Sequence, residues 1–275
     1  MSKITCKLCA HYCQLREGQS GICGVNENQN GTLTCKVYGY PSALHIDPIE
    51  KKPLYHFLPH TYTLSLGTVG CNMKCPFCQN WQISQTNEFS KEHFYSPQEI
   101  VKLALHHKCP SISYTYNEPT IFWPYAKDIA TLAKEHGLKN IMVSNGFMSK
   151  ELCEEIPRYI DAINIDIKSY DENYYKKALK GDLHVVLENA KVLKQKGVHV
   201  EITTLCIPSI DAKQIHKIAQ FIKEDLGEDT PWHLSAYHPD FKIKEGENTP
   251  HETLHQFFNI AKSYNLQNIY LGNVK

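Results

Sequence analysis

Three closely spaced cysteines carry the strongest chemical signal in this sequence. Cys71, Cys75 and Cys78 follow a predicted strand in the string GTVGCNMKCPFCQNW, with the spacing CxxxCxxC. An ordinary ferredoxin-type cluster takes four protein thiolates, but the next cysteine, Cys109, lies beyond a predicted helix. A structural zinc site would use four ligands in paired CxxC spacing. The three thiols therefore favour a [4Fe–4S] cluster with one iron open to a small molecule; zinc or unligated thiols are the alternatives.

A second group of cysteines lies near the N-terminus. Cys6, Cys9, Cys13 and Cys23 supply four thiols within a turn-rich segment. The 11 cysteines are an odd number and no apolar export signal precedes them, so we do not predict a disulfide framework. Four thiolates can hold zinc, which would let a poorly cored segment fold, or an auxiliary iron–sulfur cluster. We favour zinc over the cluster and over unligated thiols. The other cysteines are expected to be small buried hydrophobic side chains: Cys35, Cys109, Cys153 and Cys206.

Polar residues recur where later predicted strands end. They are Asn117, Glu118, Ser144, Asn145, Asp166, Lys168, Thr203, Thr204 and His238. Enzymes built on parallel strands place ligands at the carboxyl ends of those strands. Asp166 and Lys168 stand two residues apart and therefore face the same side of their strand. Each of these residues also has a structural interpretation. Glu118 could be a solvated acid at a helix N-terminus, and Asn145 could belong to an Asn-Gly turn. Asp166 and Lys168 could be a buried ion pair that ends a strand, and His238 could be a structural histidine.

A repeating strand-and-helix framework must bring these residues together. From residue 61 onward, short β-branched runs alternate with amphipathic helices. Strands are predicted over 61–66, 111–116, 139–144, 161–167, 198–205, 232–236 and 268–271. Helices are predicted from the capping box at Ser96, after Pro119, from Asp211 and from Pro250. Six strand–helix units plus a seventh strand are too few for a closed eight-fold barrel, so we predict a parallel partial barrel, with a doubly wound sheet as the alternative.

Composition excludes several classes of protein. The chain of 275 residues balances 29 Lys+Arg against 29 Asp+Glu and is 42% hydrophobic, so a packed core is attainable. No apolar run approaches the ~18 residues of a membrane span. Without a recognisable signal peptide, we predict a cytoplasmic protein with no membrane partner. Zero net charge and only two arginines argue against nucleic-acid binding.

Taken together, these strings resemble the radical S-adenosylmethionine (SAM) superfamily. The CxxxCxxC loop, with Phe77 before its last cysteine, is similar to that superfamily's signature. The strings CPFCQNWQISQ, YTYNEPTIF, NIDIKSY, VEITTL and PWHLSAYHP, and the cysteine pattern from Cys6 to Cys23, resemble the radical enzyme of the AmmeMemoRadiSam system, a relative of glycyl-radical (pyruvate formate-lyase) activating enzymes. The resemblance implies an α/β fold: a partial (β/α)6-type radical SAM barrel over residues 61–275 with a Cys-rich N-terminal segment over residues 1–60.

The same resemblance implies a role for each candidate residue. Cys71, Cys75 and Cys78 would hold the cluster, whose open iron would chelate the amino and carboxylate groups of SAM. Asn117-Glu118-Pro119 takes the place of the superfamily's Gly-Gly-Glu motif, so Glu118 would accept hydrogen bonds from the methionine ammonium. The other residues implied to line the cofactor site are Phe77 near the adenine, Asn117, Ser144 and Asn145 near the ribose or carboxylate, Asp166, Lys168 and His238.

The implied reaction is reductive cleavage of SAM to methionine and a 5′-deoxyadenosyl radical that acts on an unidentified substrate. A ferredoxin or flavodoxin would supply the electron, and Memo-like and AMMECR-like proteins are the implied partners. A glycyl-radical activating enzyme is the alternative enzyme. A non-catalytic iron–sulfur carrier or sensor is the alternative from another class, but it needs a fully ligated cluster, which three cysteines disfavour.

Overall fold

The computed structural model describes residues 3–244 and 247–274 of the chain. Its first elements are two antiparallel hairpins, β1 (Ile4–Thr5) with β2 (Gln14–Leu15), and β3 (Asn26–Gln29) with β4 (Thr32–Cys35). The next strand, β5 (Ala43–Pro48), pairs antiparallel with the strand that follows it. The segment ahead of residue 61 therefore contributes one strand to the main sheet.

Seven parallel strands complete that sheet. They are β6 (Tyr62–Gly67), β7 (Ser111–Tyr114), β8 (Lys139–Ser144), β9 (Ala162–Asp166), β10 (His199–Cys206), β11 (Trp232–Ala236) and β12 (Ile269–Gly272). Each strand pairs with the next one along the chain, so the strand order never reverses. A doubly wound sheet would reverse at a switch point, and that alternative is wrong. Within the described residues β5 and β12 remain as unpaired edges, which confirms the predicted partial barrel.

Helices connect the parallel strands and cover the outer face of the sheet. They are α1 (Trp81–Ser84), α2 (Pro97–His106), α3 (Trp123–Glu135), α4 (Lys150–Glu155), α5 (Glu172–Tyr174), α6 (Leu183–Gln195), α7 (Ala212–Phe221) and α8 (His251–Ser263). The predicted capping box at Ser96 is present. Asp211 caps α7, whose last turn continues in π-helical form to Gly227, and Pro250 precedes α8. No helix in the described part of the chain is both long and apolar enough to cross a membrane.

The two faces of β9 differ in polarity, and this difference contributes to the site. Ile163 and Ile165 pack into the main core beneath the helices. Asn164 and Asp166, at the alternate positions, instead line the interior of the barrel. Because side chains alternate along a strand, the carboxyl end of β9 directs its polar groups into the barrel.

The segment between β5 and β6 closes the amino-terminal end of the barrel. Ile49 and Leu54 pack against Ile141 of β8 and Ala162 of β9 in a small separate core. The backbone N–H groups of Tyr55 and His56 donate to the buried carboxylate of Glu201 in β10. This end is thus filled by side chains and fixed by hydrogen bonds.

Candidate functional site

A cavity of about 480 Å³ opens at the carboxyl ends of the parallel strands. This volume is in the range of small-molecule sites. Its wall contains almost every barrel residue that the sequence assigned to the cluster or to the cofactor: Cys71, Cys75, Cys78, Phe77, Asn117, Glu118, Ser144, Asn145, Asp166 and Lys168. The structure does not bring His238 into this group: its side chain is exposed and lies outside the cavity wall, while Tyr237 takes the buried position.

The loop between β6 and α1 carries the three cysteines and is held on both sides. Gly70 has a φ of 87°, and a Cβ there would lie 2.6 Å from the carbonyl oxygen of Cys23. Only glycine fits this conformation and this space. The Asn117 side chain accepts from the Thr68 N–H at 3.1 Å and donates to the Gly70 carbonyl at 3.0 Å. The amide of Asn117 therefore positions the cysteine loop.

The cysteine thiols line one wall of the cavity in an environment that disfavours free thiolates. Cys71 and Cys75 are buried, and Cys78 is partly exposed with its sulfur 3.0 Å from the Ser84 hydroxyl. Burial raises the pKa of Cys75 to about 11 and that of Cys71 well above its usual range. Metal binding requires deprotonated thiols and supplies the compensating positive charge. Two buried thiols and one partly exposed thiol around a shared cavity fit the predicted iron–sulfur cluster.

Glu118 is a buried carboxylate, and the alternative of a solvated helix acid is wrong. Its Oε1 accepts from the Thr120 N–H at 3.0 Å, from the Thr120 hydroxyl and from the Ser144 hydroxyl at 2.8 Å. Its Oε2 accepts from the Asn145 N–H at 2.8 Å and has capacity for a second donor. Burial raises the pKa of Glu118, although these hydrogen bonds oppose that rise.

Asn145 links this carboxylate to the cysteine loop. Its side-chain Nδ2 donates to Asn72 Oδ1 at 2.8 Å and lies 3.8 Å from the sulfur of Cys71. Asn72 in turn donates to the Phe147 carbonyl at 3.1 Å. A continuous set of hydrogen bonds therefore joins the ends of β7 and β8 to the first cysteine, which fixes their relative positions.

Asp166 and Lys168 form an ion pair on the cavity wall, with Lys168 Nζ 3.0 Å from Asp166 Oδ2. Burial disfavours the charge on Lys168, but the nearby Asp166 carboxylate holds the pKa of Lys168 above its usual range. The two residues thus form the ion pair that was considered as an alternative to a binding role, and this ion pair faces the cavity. A fixed positive charge stands between the cysteine loop and the end of β9.

The loop after β11 packs against α1 and the cysteine loop. Trp81 stacks on Phe241 with ring centroids 5.5 Å apart and donates to Asp240 at 3.0 Å. The Lys242 N–H donates to the Pro76 carbonyl at 3.1 Å, which ties the loop after β11 to the cysteine loop. Phe77 is 3% exposed and belongs both to the main core and to the cavity wall. These contacts help to hold the cysteine loop in place.

Sequence reasoning missed a charged group contributed by β5 and the segment after it. Lys52 is 3% exposed, and its Nζ lies 2.7 Å from Asp47 Oδ2 and 4.5 Å from the Tyr116 ring centroid. The Tyr116 hydroxyl donates to Asp47 at 2.6 Å, and its backbone has a φ of 69°, which L-residues seldom adopt. All three residues line the cavity.

Two residues, Thr203, which the sequence analysis named, and Asn164, which it missed, carry buried polar atoms without a hydrogen-bond partner in the described structure. They are Asn164 Oδ1 and Thr203 Oγ1, both on the cavity wall. Buried polar atoms are ordinarily paired, so these two suit a bound polar molecule. Asn164 could have been found from sequence, because it stands two residues before Asp166 on the same strand face. Thr204, by contrast, accepts from the Trp232 indole on the opposite face.

The fold and the cysteine site define a class of enzyme, and comparison with known families agrees. The model of the Radical SAM superfamily matches residues 65–222, more than half of the chain, and the chain belongs to that superfamily. Members of the superfamily bind a [4Fe–4S] cluster and SAM. Uncharacterized protein MJ0808 of Methanocaldococcus jannaschii is 42% identical over 277 residues, covering 99% of this chain and 82% of that relative.

Activating enzymes are among the other relatives. Pyruvate formate-lyase 1-activating enzyme of Escherichia coli K12 is 23% identical, over 62% of this chain and 71% of its own length. A domain of pyruvate-formate lyase-activating enzyme from Bacteroides vulgatus superposes with a TM-score of 0.51 at 20% identity, over 58% of this chain and 98% of that domain. Streptococcus suis SuiB bound to S-adenosylmethionine superposes with a TM-score of 0.60 at 16% identity, over 76% of this chain and 51% of that chain. These structures share the fold; the AmmeMemoRadiSam assignment stays a prediction.

Proposed function

We propose that this protein cleaves SAM reductively at a [4Fe–4S] cluster held by Cys71, Cys75 and Cys78. The observation that carries the proposal is the shared cavity wall, where the three thiols adjoin Glu118 and the Asp166–Lys168 pair. When bound and reduced, such a cluster supplies one electron to the sulfonium of SAM, whose C–S bond breaks to give methionine and a 5′-deoxyadenosyl radical.

Glu118 and its neighbours would bind the methionine end of SAM. The Oε2 atom holds one donor, the Asn145 N–H, and can accept a second from the cofactor's ammonium. The hydrogen bonds from Thr120 and Ser144 keep the carboxylate in place before the ligand arrives. This arrangement orients the ammonium next to the cysteine loop at no further cost in side-chain entropy.

The remaining wall would bind the other parts of SAM. Lys168 offers a positive charge for the cofactor's carboxylate, and its pairing with Asp166 orients it. Phe77 provides an apolar surface for the adenine ring. The contact of Trp81 with Phe241 limits the entry of water. Asn164 Oδ1 and Thr203 Oγ1 lie deeper in the barrel and would hydrogen-bond an as yet unidentified substrate.

The reductant and the protein partners follow from the chemistry and from the resemblance. Reduction of SAM needs a low-potential one-electron donor, for which we propose a ferredoxin or flavodoxin. The likeness to the AmmeMemoRadiSam enzyme adds Memo-like and AMMECR-like proteins as proposed partners. Reduced ferredoxin in place of dithionite should support SAM cleavage by the purified protein, whereas cleavage confined to dithionite would argue against this class of donor.

The test is anaerobic reconstitution followed by product analysis. With dithionite and SAM, the protein should release 5′-deoxyadenosine and methionine, and alanine at Cys71, Cys75 or Cys78 should abolish the release. Cys109→Ala is the matched control, since Cys109 lies outside the cavity and should leave the reaction unchanged. Reconstituted protein that retains its iron but yields no 5′-deoxyadenosine would contradict the proposal and favour a redox carrier.

A further inference from the structure

The N-terminal cysteines lie together around the loop of the first hairpin. Cys6 directly follows β1, and its N–H donates to the carbonyl of Cys13, just before β2, at 2.9 Å. Cys9 lies between them in the loop, and Cys23 precedes β3. The Asn26 side chain lies 3.5 Å from the sulfur of Cys23 and fixes that cysteine. Residues distant in sequence are thus folded into one group.

Their thiols are close enough to act on one another. The thiols of Cys6, Cys13 and Cys23 all lie within electrostatic range of the Cys9 thiol. The Sγ atom of Cys13 lies 3.5 Å from the position that a Cβ on Gly21, two residues before Cys23, would take. A bound metal centre would use all four thiols as ligands.

The part of this segment around Cys6 and Cys9 has little hydrophobic core of its own, since Cys23, Val25 and Val37 pack into the main core. The segment's buried apolar side chains over residues 3–40 are Cys6, Cys9, Leu15, Cys23, Val25 and Val37, and half of them are cysteines. The first hairpin has only two residues in each strand. Short segments with so small a core usually depend on a metal or a disulfide for stability, and all of these cysteines are free thiols.

We propose that Cys6, Cys9, Cys13 and Cys23 hold a second [4Fe–4S] cluster in place of the zinc ion that the sequence analysis favoured. A structural zinc site is typically built from two closely spaced ligand pairs, but nine residues separate Cys13 from Cys23. Within the described residues, no three metal-binding side chains form a ready site for a single ion, either here or in the Cys71 loop. In this respect the N-terminal group resembles the loop of the proposed first cluster rather than a zinc site.

The second cluster would adjoin the loop of the first. The carbonyl oxygen of Cys23 lies directly against Gly70, the residue before Cys71. The His11 ring nitrogen lies 2.8 Å from the carbonyl oxygen of Asn72, the residue after Cys71. The N-terminal group therefore touches the cysteine loop on both sides of its first ligand. This site does not depend on SAM cleavage for its support.

Metal and sulfide analysis of the full chain tests the proposal. After anaerobic reconstitution with iron and sulfide, the protein should carry about eight irons, two clusters of four. The variant Cys6→Ser/Cys9→Ser should lose half of the iron and sulfide and keep SAM cleavage. The triple variant Cys71→Ala/Cys75→Ala/Cys78→Ala should also keep half of the iron, with no cleavage. Cys153→Ser, outside both groups, should change neither quantity.

Other outcomes would overturn the assignment. Wild-type protein with about four irons and one zinc, and loss of the zinc alone from Cys6→Ser/Cys9→Ser, would establish a zinc site. A triple variant without iron would show that the N-terminal thiols hold no cluster, even if the serine variant fails to fold. Loss of iron from Cys35→Ser would refute the ligand set, since Cys35 lies near Cys23 and Cys6. Reconstituted protein that carries eight irons but releases no 5′-deoxyadenosine would contradict the proposed SAM cleavage and leave the second cluster supported.

Discussion

The two ends of the barrel are built from the same strands but treat buried polar groups in opposite ways. At the amino-terminal end, Glu201 of β10 accepts hydrogen bonds from His199, His233 and two backbone N–H groups. Two residues further along that strand, Thr203 lines the cavity with an unpartnered hydroxyl. A fully paired group stabilises the fold, whereas an unpaired one is available to a ligand. The comparison assigns stability to one end and binding to the other.

The largest effect on stability should come from Glu201→Gln. Burial alone would raise the pKa of Glu201, but the bonds from His199, His233 and the backbone lower it from 4.5 to about 2. A difference of this size corresponds to about 3 kcal/mol of unfolding free energy near neutral pH. Denaturant unfolding should show a loss of that order with SAM affinity retained. Loss of SAM affinity in a protein of unchanged stability would reverse the assignment of the two ends.

Acid should remove the same contribution from the wild-type protein. Because the pKa of Glu201 is lower in the folded state, the unfolded chain takes up the proton first as the pH falls. The stabilisation is complete above about pH 4.5 and is lost as the pH falls toward 2. Asp47, whose pKa is also lowered to about 2, titrates in the same window. The unfolding free energy of Glu201→Gln should therefore fall less steeply with decreasing pH than that of the wild type. Equal slopes would exclude Glu201 as a source of the acid sensitivity.

Glu118→Gln should act mainly on the cavity end. Loss of one charge-assisted hydrogen bond to an ammonium costs about 1.5–3 kcal/mol, roughly a ten- to hundred-fold weaker SAM affinity by calorimetry. Iron content should stay at the wild-type level, because no cysteine is changed. Glu92→Gln, an exposed acid far from the cavity wall, is the matched control. Unchanged affinity would leave Glu118 with a structural role, as the link between β7 and β8.

The smallest effect on stability is expected at Thr203→Val. Its hydroxyl has no partner, so replacing it with a methyl group of similar shape should leave the unfolding free energy within about 0.5 kcal/mol or raise it slightly. Turnover of the substrate, once identified, should change more than stability does. A destabilisation as large as that of Glu201→Gln would mean that the cavity end also supports the fold.

Much of this arrangement could be predicted because its signals are local. The cysteine loop, Glu118 and the Asp166–Lys168 pair each stand beside a strand end that sequence periodicity identifies. The position of His238 outside the cavity wall follows from strand alternation: His233 and Ser235 face inward, so Tyr237 points inward and His238 outward.

Other features depend on pairing between distant segments. Lys52 and Asp47 reach the cavity only because β5 joins the edge of β6. Only one residue of β5, Asp47, is buried. A strand with so little apolar alternation gives no periodic signal. The sequence likewise does not reveal the hydrogen bonds of the Asn117 side chain. Both the oxygen and the nitrogen of its amide bond to partners some 50 residues earlier in the chain.

Within the described residues, the two edge strands of the partial barrel, β5 and β12, are not hydrogen-bonded to each other. At the amino-terminal end a side-chain contact bridges the seam between them, since the His56 ring lies 2.6 Å from the Tyr270 hydroxyl of β12. At the carboxyl end Asp47 on β5 and Asn273, just after β12, instead form part of the cavity wall. The seam is therefore fastened where the barrel is stabilised, and where the barrel binds, the width of the seam sets how much of the cavity is enclosed.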